Sequence, residues 1–250
     1  MNLFKDYARY YDYLYKDKDY FKEVNYVESL VKRYSFHKVK KILDLGCGTG
    51  NHATYLAKKG YYITGIDLSK EMIKIAKLKQ SERLQFHEAN LINMSLKNKY
   101  DLVYSLFHVI NYLTSNENLE KAFKQVKNYL QKGGLFIFDS WYGPAVLADK
   151  PKIKIKNFED DTVKIVRIAT PKMYPNENIV EVNYKFVIED KKSKGTRKLN
   201  ERHIIRYLFR PEIESFFKAF GIELVDFQEW LTGKQPGFGS WSVCFVGRKL

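Results

Sequence analysis

The chain opens with apolar and aromatic positions recurring at helical spacing. "LFKDYARYYDYLY" (residues 3–15) and "YFKEVNYVESLVKRY" (20–34) predict two amphipathic helices. The pattern then alternates between short apolar runs and amphipathic stretches. "KKILDLG", "YYITGID", "RLQFHEA", "YDLVYSLF" and "LFIFDSW" read as strands. "NHATYLAKKG", with Gly60 as its stop, and "SKEMIKIAKLKQ", with Ser69 as N-cap and Glu71 in the first turn, read as helices between them. "SNENLEKAFKQVKNYLQKGG" reads as a longer helix closed by Gly133 and Gly134. Strands alternating with helices predict a parallel, doubly wound α/β sheet with right-handed crossovers.

The period changes near Pro151. "KIKIKNF", "TVKIVRIAT", "NIVEVNYKFVIED" and "RKLNERHIIRYLF" alternate polar and apolar residues with no helix between them. Period 2 marks antiparallel strands with one wet face, so this block is expected to be an insertion. A short helix with Pro211 near its start follows, then two strands, "IELVDFQEW" and "WSVCFVGRKL", that should rejoin the main sheet. The expected units are an N-terminal helical cap (1–36), a nucleotide-binding core (37–148), an antiparallel insertion (149–209) and a C-terminal helix and strands that complete the core (210–250).

Composition refines this picture in a few places. The net charge is +14, from 43 Lys and Arg against 29 Asp and Glu. The lysines are spread along the chain, and their densest cluster, "DKKSKGTRK" (190–198), sits where a hairpin turn is expected. A solvated surface explains this better than a nucleic-acid site. Cys47 and Cys244 stand far apart with no paired spacing, so no metal site and no disulfide framework are expected. The start of the chain has no apolar leader region, and no run approaches roughly 18 apolar residues. A soluble, cytoplasmic protein without membrane contact is expected.

The chemistry concentrates at "ILDLGCGTGNHATYLAKKGYYITGIDLS" (42–69). A strand ending in Asp44 and Leu45 feeds a turn with glycines at 46, 48 and 50, and the turn opens a helix. Glycine lets a ligand lie against the backbone, and a helix start offers unpaired N–H donors. Asp67 ends the next strand beside that turn, where a carboxylate can bind a ribose diol. A dinucleotide site has G-x-G-x-x-G, whereas this turn is one residue tighter. Asp44 would also oppose a pyrophosphate. It suits S-adenosylmethionine (SAM), which carries an ammonium, a sulfonium and a ribose diol but no phosphate.

These segments resemble the class I SAM-dependent methyltransferases. "LDLGCGTG" and "GIDLS" look like the first two motifs of that family, and "HEANLINM", "YDLVYSLFHVINYL" and "LQKGGLFIFD" look like the following ones, together spanning about residues 40–140. The resemblance implies a Rossmann-like, seven-stranded, mostly parallel sheet with a reversed last strand. It implies SAM as cofactor and S-adenosylhomocysteine as product. Asp44, Gly46, Cys47, Gly48 and Gly50 would line its methionine and ribose, Asp67 with Leu68 and Met72 would follow, and Asn90 with Leu91 would meet the adenine. Leu106 and Phe107 would wall the sulfonium.

The wider pattern is similar to the N-methyltransferases of nucleotide-linked amino sugars. It comprises "YARYYD" near the N-terminus, "INYL", "DSWYGP" and an insertion containing "ERH". The resemblance implies that N-terminal tyrosines close over the cofactor: Tyr7 and Tyr11, with Tyr10 and Tyr15 as alternatives. It implies Tyr112 at the acceptor and the insertion as substrate-side layer and homodimer contact. His108 is the other catalytic candidate, and Asn111, Trp141, Tyr142, His203 and Arg206 are substrate candidates. A Ser-Gly-Arg-Gly segment common in that family is replaced by "FGSWSVCF", which leaves Lys234, Arg206 or Arg202 to supply positive charge. The expected reaction is methyl transfer to a small-molecule amine. The alternatives are RNA or other O- or N-methylation, a non-catalytic SAM-binding protein, and an NAD-dependent dehydrogenase, which the glycine spacing disfavours.

Overall fold

A computed structural model describes residues 8–250, with side chains from residue 11 onward. The N-terminal helices are α1 (Ala8–Leu14) and α2 (Tyr20–Tyr34). Asp19 caps α2 by accepting the Lys22 N–H at 2.8 Å. Val24, Val27 and Leu30 recur at helical spacing and are buried, which stabilises α2 against the sheet by roughly 2 kcal/mol per side chain.

The core follows the expected alternation: β1 (Lys41–Leu45), α3 (Asn51–Lys58), β2 (Tyr62–Asp67), α4 (Lys70–Lys77), β3 (Leu84–Glu88), β4 (Tyr100–Ser105), α5 (Asn116–Tyr129) and β5 (Leu130–Trp141). Ser69 caps α4 as anticipated, accepting the Met72 N–H at 3.2 Å. One boundary differs. α5 stops at Tyr129, because Leu130 already adopts an extended conformation, so Gly133 and Gly134 lie within β5.

After α6 (Gly143–Ala148) come β6 (Lys154–Glu159), β7 (Val163–Tyr174), β8 (Ile179–Asp190) and β9 (Gly195–Arg206), then α7 (Arg210–Ala219), β10 (Ile222–Glu229) and β11 (Ser242–Lys249). The seven-stranded sheet runs β10-β11-β5-β4-β1-β2-β3. β11 lies antiparallel between β5 and β10, while β1 to β5 pair in parallel. The sheet is therefore doubly wound with a reversed last strand, as expected. Strand order reverses between β1 and β4, and the crevice beyond their carboxyl ends is where such sheets bind ligands.

Successive β1 residues point to opposite faces, so Ile42 joins one core and Leu43 and Leu45 the other. The insertion forms a separate four-stranded antiparallel sheet, β6-β7-β8-β9. It reaches α1 and α4 through a cluster holding Leu14, Met72, Ile165, Phe186 and Ile188. It reaches the β4 and β5 ends through Val146, Val180, Val182, Ile205 and Tyr207, with Tyr112 and Trp141 packed against them. The crevice is thus bounded by two sheets.

Candidate active site

The three glycines of the turn do different work. A Cβ on Gly50 would fall 2.4 Å from the Phe86 ring, and one on Gly46 would fall 2.5 Å from Val109. Both are packing constraints. Gly48 is left-handed (φ 53°), yet a Cβ there meets nothing within 4 Å. It is the glycine of the turn that leaves open space beside its backbone, where a ligand could lie. Cys47 is buried, and its backbone N–H donates to Ile66 O at 2.9 Å, tying the turn to β2. Burial pushes its thiol well up, so it stays protonated.

Asp67 sits beside Gly48 at the end of β2. Its Oδ2 accepts the Gly48 N–H and its Oδ1 the Ser69 N–H, each at 2.8 Å. A carboxylate has about four lone-pair sites, so both oxygens can also accept from a ribose diol. Burial pushes its carboxyl up, while those backbone donors pull it down. Asp44 is buried and accepts from the Tyr104 hydroxyl at 2.7 Å. Burial raises its carboxyl to about 7, the Tyr104 bond opposes the rise, and the Asp67 charge adds to it. A cation beside Asp44 would relieve that raised state. An open glycine, a carboxylate able to accept from a diol and a buried carboxyl suited to a cation together fit the hydroxyls and positive charge of SAM.

Asn90 is half-buried after β3, and its Oδ1 accepts the Ile92 N–H at 3.2 Å. Leu91 packs on the core beside it, and Leu68 is exposed. Leu106 is buried, while Phe107 is half-buried in a left-handed conformation (φ 68°). Met72 is buried with the insertion and Leu14. Tyr15 meets Phe107 edge-on at 4.9 Å and lies 4.9 Å from Tyr11. Tyr7 falls outside the described residues, and so does the side chain of Tyr10.

A clasp that the sequence did not announce joins α1 to the glycine turn. Asp12 Oδ1 accepts from Thr49 Oγ1 at 2.6 Å and from Asn51 Nδ2 at 3.1 Å. Lys79 donates to Thr49 O at 2.8 Å and to Asn51 Oδ1 at 2.7 Å. Behind it, buried Glu23 accepts from Lys18 and pairs with His52 Nε2 at 2.6 Å, joining α2 to α3. Lys18 Nζ also lies 4.3 Å from the Phe107 ring centre.

On the acceptor side the candidates separate. His108, also left-handed (φ 62°), is held by its N–H on Asp139 Oδ1 at 2.9 Å. Its Nε2 lies 3.0 Å from Ser242 Oγ and 3.2 Å from Asp139 Oδ2, so it anchors the loop after β4. Asn111, expected at the substrate, is fully buried. Its Nδ2 donates to Ser140 Oγ at 3.1 Å and to Arg206 O at 2.5 Å, and its Oδ1 accepts the Trp141 N–H at 3.3 Å. It braces β5 against β9.

Arg206 is also buried, paired with Glu212 of α7 and donating to Thr114 O at 3.4 Å. A buried guanidinium needs such a partner, so it does not reach out to an anion. Trp141 and Tyr142 point to opposite faces. Trp141 joins Tyr112 and Trp241, whereas Tyr142 packs on Phe227 in the other core.

Tyr112 meets the insertion. Its hydroxyl lies 2.7 Å from His203 Nδ1, and His203 Nε2 lies 2.9 Å from Glu201 Oε2. Burial pushes the Tyr112 phenol well up, so it is neutral at ordinary pH. His203 was expected near the substrate and Glu201 was not. The only sequence signal for Glu201 is its two-residue offset from His203, which puts both on one face of β9.

Residues 42–134 match the family model for a methyltransferase domain. The chain carries a methyltransferase domain. It is similar, at 28% identity over 97% of both chains, to a dTDP-3-amino-3,4,6-trideoxy-alpha-D-glucopyranose N,N-dimethyltransferase from Streptomyces venezuelae. A dTDP-3-amino-3,6-dideoxy-alpha-D-glucopyranose N,N-dimethyltransferase from Streptomyces fradiae is 25% identical, over 93% of this chain and 88% of that one. The fold also matches a crystal structure of an S-adenosylmethionine-dependent methyltransferase from Clostridium acetobutylicum, with a TM-score of 0.83, 24% identity and 98% of each chain covered. The domain and these relatives mark a SAM-dependent methyltransferase, and the sheet has the reversed last strand that the resemblance implies. No helix among the described residues is long and apolar enough to cross a membrane.

Proposed function

We propose that this methyltransferase acts on the amine of an amino sugar, carried as a nucleoside diphosphate derivative. The observation that carries the reading is the extent of the similarity: it spans 97% of both chains and so includes the insertion, where acceptor specificity would reside.

Bound SAM supplies an electrophilic methyl on a sulfonium. Asp67 and the Gly48 backbone would hold its ribose, and Asp44 would face its cationic end. Phe107, Tyr11 and Tyr15 close the crevice against water, and placing the amine in line with the methyl supplies most of the rate. Tyr112, at the seam of the two sheets, contacts the amine, and Trp141 with Trp241 forms the wall for the sugar.

Arg206 is locked to Glu212, and Arg202 pairs with Glu181 at 2.5 Å. Exposed Lys234, between β10 and β11, is left to meet the diphosphate. The same reading takes the enzyme as cytoplasmic, without nucleic-acid or membrane partners. It takes the enzyme as a homodimer, for which exposed Ile153 and Ile155 beside and on the edge strand β6 offer an apolar contact.

The test is mass spectrometry of the purified chain with SAM and a panel of dTDP-3-amino and dTDP-4-amino sugars, their hydroxyl counterparts and RNA. Methyl gain confined to the amino sugars supports the reading. Methylation of only a hydroxyl sugar or RNA contradicts it.

A further inference from the structure

The insertion and the loop after β4 together form a chain of three groups at the crevice. On β9, Glu201 and His203 are two residues apart and share a face. They stand opposite Tyr184 and Val182 of β8. His203 is buried, at 4% exposure, with its ring between the Tyr112 hydroxyl and the Glu201 carboxylate.

The carboxylate settles the tautomer. An ionised carboxylate only accepts, so the proton on the neutral imidazole sits on Nε2, facing Glu201. Nδ1 is then an acceptor, and the Tyr112 hydroxyl donates to it. A phenol oxygen that donates its proton can also accept one.

Methylation of an amine needs the nitrogen lone pair, and an aliphatic amine is mostly ammonium near neutral pH. A second transfer meets the same obstacle, because each methylated product is again an ammonium. We infer that Glu201 and His203 act through Tyr112 as the proton acceptor for the substrate ammonium. Substrate N–H breaks as a new O–H forms on Tyr112. The original Tyr112 proton passes to His203 Nδ1, and Glu201 stabilises the resulting imidazolium. No other reagent is required, since the proton leaves to water when the site opens. Tyr112 touches the substrate, whereas His203 and Glu201 are positioning residues behind it, an order that resembles a hydroxyl–imidazole–carboxylate triad.

Aromatic and charged groups from neighbouring elements face this relay. Tyr184 of β8 meets the His203 ring edge-on at 5.0 Å. Tyr11 and Tyr15 lie on the α1 side, and Arg167 of β7 donates to the Tyr15 hydroxyl at 3.4 Å while lying 5.6 Å from the Tyr184 ring centre. Glu201 is the carboxylate in direct contact with the imidazole.

The relay rests on the amine reading of the acceptor, and its test separates the two. Glu201→Gln and His203→Gln enzymes are compared with the unsubstituted enzyme on a dTDP-amino sugar across a range of pH. Near neutral pH, both substitutions should lower kcat roughly a hundredfold, the size of a general-base effect, with SAM affinity unchanged. The loss should shrink as pH rises past the acceptor's own ammonium pKa, because the amine then arrives deprotonated. A loss of equal size at every pH, as a purely structural role gives, overturns the relay, and so does full activity at neutral pH.

Should the unsubstituted enzyme bind SAM yet methylate no amine, the acceptor reading fails by itself. Imidazole nitrogen NMR then judges the Tyr112–His203–Glu201 hydrogen-bond chain by itself. An Nε2-protonated neutral His203 that loses this preference in Glu201→Gln is expected, and an Nδ1-protonated ring overturns it.

Discussion

Asp67 Oδ2 accepts the backbone N–H of Gly48 at 2.8 Å, so the end of β2 and the glycine turn of β1 form one rigid wall. Removing that carboxylate takes away the brace and, in the proposed mode of binding, the ribose contact. Asp67→Ala should weaken SAM binding about tenfold to a hundredfold, since hydrogen bonds to a charged acceptor are worth about 1.5–3 kcal/mol. Isothermal titration checks this, and unchanged affinity removes Asp67 from the cofactor site.

Gly48 and Gly50 should respond differently to the same substitution. Gly50→Ala puts a methyl 2.4 Å from the Phe86 ring at a left-handed position, so it should lower unfolding stability by about 2 kcal/mol or more. Gly48→Ala meets open space and should cost only about 1–2 kcal/mol of backbone strain. Its main effect should fall on SAM affinity. Denaturant unfolding and SAM titration of the two variants separate a packing glycine from a ligand-facing one.

Asp44 links the site to pH. Its folded carboxyl titrates at about 7, against about 3.9 in an unfolded chain. Between those values the folded state holds the extra proton, so this group's contribution to stability falls as pH rises from about 4 to about 7. A cation beside Asp44 lowers its pKa, so SAM binding near neutral pH should release a proton. Calorimetry in buffers of different ionisation enthalpy measures that release, and Asp44→Asn should abolish it.

Glu23 works in the opposite sense. Burial alone would raise its carboxyl, but the hydrogen bond and charge of His52, with Lys18, outweigh that and hold it below the usual range. Its stabilising contribution is therefore present above the unfolded carboxylate pKa of about 4.3 and is lost as pH falls through the lower folded value. Glu23→Gln should destabilise the fold by on the order of 3 kcal/mol, because His52 and Lys18 lose a buried partner. Denaturant unfolding as a function of pH reads both effects.

The elements were legible because period and punctuation agree at nearly every step. The apolar runs of β1, β2 and β4 are buried on both faces, and Ser69 caps α4 where its side chain predicts. The cofactor half of the site was legible because its residues are local: Asp44 to Gly50 is one turn, and Asp67 pairs with it across adjacent strands.

The acceptor half depends on contacts between distant segments, which spacing does not encode. Asn111 and Arg206 have side chains suited to substrate, yet tertiary packing draws both into the frame, Asn111 onto β5 and β9 and Arg206 onto Glu212. Tyr142 follows Trp141 in sequence but faces the other core, as strand alternation requires. Glu201 and the Asp12 clasp became visible only once the insertion and α1 were folded against the core.

The most direct test of the enzyme's proposed activity follows the methyl group itself. The purified chain is incubated with SAM labelled with carbon-13 on its methyl and a dTDP-3-amino sugar, and the product is examined by heteronuclear NMR. The expected result is a labelled N-methyl signal on the sugar that grows in step with S-adenosylhomocysteine. Label on a sugar oxygen, or SAM bound with no label transferred to any amino sugar, would contradict it.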